Sequence, residues 1–266
     1  MQDLTVIKVG GAIVEDEARL SRLLDDFAKI QGAKVLVHGG GRRATKVAAV
    51  LGIETKMVAG RRVTDADMLE VVTMVYGGLV NKNIVARLQG RGVNALGLTG
   101  ADMNVIRSHQ RPPVKVDNPD KGSSELVDYG FVGDVDFVDG QALATLINQR
   151  VTPVMAPLTH DCQGHLLNTN ADTIAAETAK ALAPFFNVTL VYCFEKPGVL
   201  ANPDDDASVI PSITRKDFEA LVADGTVSGG MRPKLENALV AVESGVKRVV
   251  ITKADAIGTD TGTVIH

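Results

Sequence analysis

Val37-His38-Gly39-Gly40-Gly41-Arg42 is the stretch whose reading decides the fold. It follows a short apolar run, Ala33 to Val37, with the Val and Leu content of a buried strand. It precedes Arg43 to Leu51, where Val47, Val50 and Leu51 fall at helical spacing. Three glycines therefore stand where a strand turns into a helix. Bare backbone N–H groups can approach an anion there, and the helix N-terminus adds partial positive charge. A second strand-to-glycine turn, Ile7-Lys8-Val9-Gly10-Gly11, opens the chain. Together the two turns predict a site that handles phosphate.

Working outward, Thr5 to Val9 reads as a strand and Glu15 to Ile30 as an amphipathic helix with Leu20, Leu23, Leu24 and Phe27 on one face. Strand, helix, strand, helix predicts a parallel sheet with right-handed crossovers. Thr64 to Asp67 starts a helix that runs to about Gln89, with a disturbance at Gly77-Gly78. Val93 to Leu98 is a further strand. Asn104 to Asp117 reads as a hairpin or excursion, and Leu126 to Val138 as a second hairpin. The α/β rhythm then returns: a helix from Gly140 to Gln149, a strand from Val151 to Ala156, a hairpin near His160 to Leu167, and a helix to Leu182. Asn187 to Tyr192 is a strand, Thr214 to Val222 a capped helix, and Val227 to Lys234 another glycine turn before a helix. Strands at Lys247 to Thr252 and Gly262 to Ile265 close the chain. A division near residue 185 is expected, with lobes 1–185 and 186–266 sharing one sheet.

Bulk properties exclude several classes. The chain has 266 residues, 45% of them apolar, so it can bury a full α/β core. A formal net charge of -4 and the absence of Trp argue against binding nucleic acid through charge or base stacking. Two distant cysteines, Cys162 and Cys193, suit neither a disulfide framework nor a zinc site, so a reducing cytoplasm is expected. The chain enters a strand almost at once, so no leader peptide is expected, and no apolar run reaches membrane-span length. The P-loop pattern, the H-R-D and D-F-G motifs and a dinucleotide G-x-G-x-x-G are all missing.

Several residues could carry chemistry. Lys8 lies inside an apolar strand, where an ammonium needs a partner or an anionic ligand; snorkelling at the strand end is the other reading. Lys234 opens a helix after Gly229-Gly230, a place the helix dipole mildly disfavours for a cation. Two lysines at two glycine turns suit a transferring phosphoryl group. Asp172, in the first turn of a helix, either organises these cations or is an ordinary N-terminal acid. Asn168 and Asn170 are turn and cap residues or amide donors to a carboxylate. Arg62 offers a guanidinium fork to a carboxylate or is a surface residue. His38 reads as a packing histidine. No histidine shows metal-ligand spacing, and the acid cluster Asp204 to Asp206 reads as a solvated loop.

Five pieces in order carry a resemblance: Ile7 to Gly11, Val37 to Gly41, Gly60 to Thr64, Asn168 to Asp172, and Ser228 to Lys234. They resemble the amino acid kinase superfamily, and within it the acetylglutamate kinases of arginine biosynthesis, over nearly the whole chain. The resemblance implies an α/β fold, a three-layer αβα sandwich around a central mainly parallel sheet of carbamate kinase-like type. It implies ATP-dependent phosphorylation of the γ-carboxylate of an N-acyl-L-glutamate. Lys8 and Lys234 would stabilise the transferring phosphoryl group, with Asp172 holding both lysines. Gly10, Gly11 and Gly40 would offer amides to phosphate oxygens, and Gly40, Gly41, Arg62 and Asn168 would bind the acyl-glutamate. ATP would sit in the C-terminal lobe near strand 187–193, with Mg2+ held mainly by its phosphate oxygens. Residues 118–136 would wall the acyl group, without deciding between acetyl and succinyl. One departure is Cys193-Phe194-Glu195-Lys196-Pro197-Gly198, where many members carry a Ser/Thr-Asp-Val type sequence, so nucleotide contacts do not transfer there. The chain also lacks the extra N-terminal helix of arginine-inhibited hexameric members. A homodimer insensitive to arginine, built on helix 66–89, is therefore expected. The other readings are a sister kinase acting on carrier-bound aminoadipate, carbamate or a nucleotide, and a catalytically silent sensor.

Overall fold

A computed structural model describes residues 1–118, 123–228, 231–259 and 261–266. The apolar run near the N-terminus forms β1 (Asp3–Val9), whose residues are nearly all buried. The helix expected from Glu15 to Ile30 is α2 (Glu17–Lys29), and a short helix that the sequence reading did not include, α1 (Gly11–Glu15), precedes it. The break falls at Asp16, whose extended backbone ends α1 and whose carboxylate accepts from the Arg19 N–H at 2.9 Å to cap α2. After β2 (Ala33–His38) the three glycines lead into α3 (Gly41–Val50). A small hairpin follows, β3 (Met57–Val58) and β4 (Arg61–Arg62). Its turn residues Ala59 and Gly60 both have positive φ, the conformation of a tight two-residue hairpin loop.

The rod expected over 66–89 is present as α4 (Ala66–Val72), a π-helical stretch Thr73–Val80 containing Gly77-Gly78, and α5 (Asn81–Gln89). Then come β5 (Ala95–Leu98), β6 (Ile106–Gln110), β7 (Val114–Asn118), β8 (Ser123–Val127) and β9 (Gly133–Val138). The two expected hairpins are in fact one nested ribbon. β7 pairs antiparallel with β8, while β6 pairs antiparallel with β9 across them. α6 (Gly140–Asn148), β10 (Thr152–Met155), β11 (Leu158–His160), β12 (Leu166–Asn168) and α7 (Ala171–Leu182) complete the first part. The second contains β13 (Asn187–Phe194), β14 (Ser212–Ile213), α8 (Arg215–Ala223), α9 (Met231–Glu243), β15 (Arg248–Lys253) and β16 (Thr263–Ile265).

Eight strands form one sheet in the order β14-β16-β15-β13-β1-β2-β10-β5. All pair in parallel except β15 with β16. The strand expected to open the C-terminal lobe, β13, runs beside β1 from Asp3↔Asn187 to Val9↔Cys193, so the sheet passes unbroken across residue 185. Alternate side chains of β1 supply two cores. Leu4 and Val6 join residues of α6, α7, α8 and α9 on one face. Ile7 and Val9 join residues of α2, α3, α4 and α5 on the other. The expected three-layer αβα sandwich is the architecture found. Among the described residues no helix is long and apolar enough to cross a membrane.

Candidate functional site

In an open parallel sheet, ligands bind beyond the carboxyl ends of the strands. There Val9 leads to Gly10-Gly11, His38 to Gly39-Gly40-Gly41, and β13 to Phe194. The two glycine turns face each other. A Cβ placed on Gly11 would lie 3.7 Å from the amide nitrogens of Gly40 and Gly41 and 3.9 Å from that of Arg42. Gly39 N–H donates to the Val9 carbonyl at 2.9 Å, tying the turns together. Neither Gly10 nor Gly40 has a side chain to cap the helix it begins. First-turn amides of α1 and α3 thus lie open at one place, the arrangement that favours an anion.

His38 explains why the turn holds its shape. It is fully buried, and burial lowers its pKa from 6.5 to about 4, so the ring is neutral near pH 7. Nδ1 faces the Gly39 carbonyl at 2.9 Å, which can only accept, so Nδ1 carries the proton. Nε2 is then the acceptor for Asn81 Nδ2 at 3.1 Å, and that amide also donates to the Val154 carbonyl at 2.9 Å. The packing role expected of His38 is the one observed.

Lys8 is 8% exposed. It alternates onto the same sheet face as Tyr192, its partner across the β1–β13 pair. Its Nζ lies 2.7 Å from Asp172 Oδ1, on the first turn of α7. That oxygen has no aligned hydrogen-bond donor, so the contact is chiefly electrostatic. Asn170 caps the same helix by accepting from the Asp172 N–H at 2.7 Å. Phe194, stacked on Tyr192, receives both lysines: Lys8 Nζ lies 5.6 Å and Lys234 Nζ 4.1 Å from its ring centroid. The separation of the two ammonium groups cannot exceed the sum of those distances. Lys8, Asp172 and Lys234 are therefore brought together as the sequence suggested, with one difference. Asp172 pairs with Lys8, and among the described residues no ion pair within 4.0 Å joins it to Lys234. The ring of Phe194 takes that place. Gly229 and Gly230, expected to shape the turn before Lys234, lie outside the described residues.

A cavity of about 220 Å3 adjoins the glycine turns, and Gly40, Gly41, Arg62, Tyr76, Arg111 and Asn168 are among the residues lining it. Arg62 Nη2 donates to the Gly41 carbonyl at 2.8 Å and to Thr45 Oγ1 at 2.9 Å, and Nη1 to Thr55 Oγ1 at 3.3 Å. Among the described residues it makes no ion pair within 4.0 Å, so its charge faces the cavity uncompensated. Asn168 Nδ2 donates to Thr64 Oγ1 at 2.9 Å. Arg111, Asp134, Tyr76 and Phe194 were not anticipated from sequence. Arg111 grips Asp134 through Nε at 3.1 and 3.0 Å and also through Nη2. That grip lowers the Asp134 pKa and raises that of Arg111. Arg61 lies beside this pair, its own pKa lowered by burial and by the neighbouring Arg111 charge. Among the described residues no cluster of three or more His, Cys, Asp or Glu is placed to hold a metal ion.

Opposed uncapped glycine turns at the carboxyl ends of central parallel strands, with two lysines sharing one ring, define a phosphoryl-transfer type of site. The amino acid kinase family profile matches residues 3–253, and the chain belongs to that family. Its relatives include the acetylglutamate kinases of Bacteroides thetaiotaomicron, at 67% identity over 99% of this chain and 98% of that protein, and of Parabacteroides distasonis, at 63% over 99% of each. Among solved structures, smu.665 of Streptococcus mutans superposes with a TM-score of 0.72 at 29% identity, covering 98% of both chains. Giardia carbamate kinase, at 15% identity and a TM-score of 0.68 over 99% of this chain and 98% of that one, shares the fold.

Proposed function

We propose that the protein phosphorylates the γ-carboxylate of N-acetyl-L-glutamate with ATP, giving the acyl phosphate used in arginine biosynthesis. The observation that carries this reading is the grouping of Lys8, Asp172 and Lys234 around Phe194 beside open amides. The acceptor carboxylate is ionised near neutral pH, so no general base is needed. One of its oxygens attacks the γ-phosphorus and the bond to the ADP oxygen breaks. The chain's contribution is to hold two anions together and to face the developing charge with ammonium and N–H groups. In this reading Lys8 and Lys234 face the transferring group, and Gly10, Gly11 and Gly40 supply amides. Gly40, Gly41, Arg62 and Asn168 hold the acyl-glutamate. Residues 1–185 form its lobe and 186–266 the ATP lobe. Mg2+ would arrive on ATP oxygens and neutralise phosphate charge, since Asp172, the carboxylate that pairs with Lys8, is already engaged.

The relatives' names support the acetyl substrate. A further reading, an acyl group with its own carboxylate such as succinyl, is favoured by the closeness of two guanidinium groups, Arg61 and Arg111, beside Asp134. A homodimer joined along 66–89 is supported by the exposure of Met74 and Leu79 on that rod; a hexamer in sedimentation would refute it. The central test is a hydroxamate assay with ATP and a panel of N-acetyl-glutamate, N-succinyl-glutamate, free glutamate and carbamate. Turnover confined to acyl-glutamates is expected. Turnover of carbamate, or of nothing in the panel, would replace this reading with a sister kinase or a silent sensor.

A further inference from the structure

Arg62 stands on the hairpin of β3 and β4, which have two residues each and pair only with one another. A hairpin of that size is marginal alone, so the direction of the arginine fork is set by what the side chain touches. Nη2 carries two hydrogens, and both are used. One goes to the Gly41 carbonyl at 2.8 Å and the other to Thr45 Oγ1 at 2.9 Å. Nη1 makes longer contacts, with Thr55 Oγ1 at 3.3 Å and Met68 Sδ at 3.7 Å. One end of the fork is therefore fixed on α3, and the rest is the part able to turn towards a ligand.

Thr45 closes this arrangement. Its hydroxyl has a single hydrogen, which goes to the Gly41 carbonyl at 3.1 Å, since a carbonyl can only accept. The lone pairs of Oγ1 are then left for Arg62, which can only donate. Gly41 O, Thr45 Oγ1 and Arg62 Nη2 thus form a triangle with sides of 2.8, 2.9 and 3.1 Å. A threonine bonding back to the carbonyl four residues earlier is ordinary in helices and does not stabilise them. A guanidinium as the third corner is not part of that habit. The triangle stands at the wall of the 220 Å3 cavity, which Gly41 and Arg62 line. Thr45 itself is exposed and is not among the lining residues.

We infer that Thr45 is a positioning residue for the acyl-glutamate: its hydroxyl locks Arg62 Nη2 onto α3, so that the remaining donors of the fork meet a substrate carboxylate. This deepens the function proposed above and rests on it. The fork is ordered before the substrate arrives, which lowers the cost of binding. Thr45 acts through Arg62, so its effect belongs to the acyl-glutamate. Lys8 and Lys234, which face the transferring group, are placed by Asp172 and Phe194 instead.

The test is steady-state kinetics on the full chain with Thr45→Val, Thr45→Ser, Arg62→Lys, and Thr45→Val combined with Arg62→Lys. Val has the shape of Thr without the hydroxyl and a similar helix propensity. At an exposed position it should leave Tm within about 2 °C of wild type. Thr45→Val is expected to raise the KM for N-acetyl-L-glutamate about tenfold, the order for losing a hydrogen bond to a charged group. kcat and the KM for ATP should stay within about twofold of wild type. Thr45→Ser keeps the hydroxyl and should return KM to near the wild-type value. In the Arg62→Lys background Thr45→Val should add little, since the two side chains act as a unit. Should Thr45→Val melt early, calorimetric titration of the folded variant with N-acetyl-L-glutamate makes the same comparison through Kd. An unmoved KM, an equal rise in Thr45→Ser, a fall in kcat at unchanged KM, or fully additive effects would each overturn this inference while wild-type turnover keeps the functional reading intact. A wild-type protein inert towards acyl-glutamates overturns the functional reading with it.

Discussion

Asp172→Asn separates the charge of the Lys8 partner from its shape. The amide fills the same volume, and Asn170 still caps α7, so the helix start is retained. What is lost is a carboxylate 2.7 Å from a nearly buried ammonium. At an effective dielectric constant of about 20, two unit charges at that distance attract by about 6 kcal/mol gross. Desolvation of the pair offsets most of this, and the Asp172 side chain, 30% exposed, is partly screened already. The amide oxygen still turns a partial negative charge towards Lys8. A net loss of about 1–3 kcal/mol follows, well below the full cost of orphaning a buried charge. For a chain of this length that lowers Tm by about 2–5 °C. Catalysis should suffer more, because an ammonium shifted by even about 1 Å can cost about 100-fold in rate. Differential scanning fluorimetry gives the first quantity and single-turnover rates with saturating ATP the second. A variant with wild-type Tm and wild-type rate would show that Lys8 is held in place by something other than Asp172, and the electrostatic account of the site would fall.

Gly40→Ala should cost about 1–3 kcal/mol by overpacking, since the new methyl meets the Tyr76 ring at 2.8 Å and Val80 Cγ2 at 3.7 Å. A chemical-denaturation midpoint equal to wild type would mean the ring is free to withdraw. His38 sets a pH dependence with a definite sign. Its folded pKa, about 4, lies below the unfolded 6.5, so the unfolded chain binds the proton first. Stability is therefore full above about pH 6.5 and falls towards pH 4, by about 3 kcal/mol in all. Carboxylates titrate in the same range, so the readout is the difference between wild type and His38→Gln. Parallel stability curves for the two proteins over that window would refute the assignment.

The backbone plan was legible because its determinants are local. Glycines after apolar runs mark where parallel strands hand over to helices, and Lys8 is conspicuous as a charge inside such a run. What sequence could not supply depends on contacts between distant segments. The start of α2 at Glu17 rather than Glu15, and the short α1 before it, needed the Asp16 carboxylate to be read as a cap. Asn104 to Val138 reads as two hairpins along the sequence, but local composition does not say that β6 would skip β7 and β8 to pair with β9. Gly77-Gly78 announced a disturbance; that it would be π-wound, and so turn Tyr76 and Asn81 to one side, rests on the turn they grip.

Phe194 shows how a departure from a family pattern becomes interpretable once the chain is folded. Read along the sequence, Cys193-Phe194-Glu195 only removes a familiar polar segment. In the fold, Phe194 sits at the end of β13 beside the end of β1, on the face that carries Lys8. Two ammonium groups drawn to one site repel each other until an anion arrives. Asp172 compensates the first of them. The negative face of an aromatic ring is suited to the second, because it attracts a cation by about 0.5–2 kcal/mol without forming a competing salt bridge. Lys234, at 4.1 Å from that centroid, is held loosely enough to be surrendered to a phosphoryl oxygen. A second carboxylate in the same place would grip Lys234 more strongly and would also repel the triphosphate. An aromatic side chain between two lysines thus keeps the site positive overall, as is needed where a carboxylate must be brought up to a polyanion.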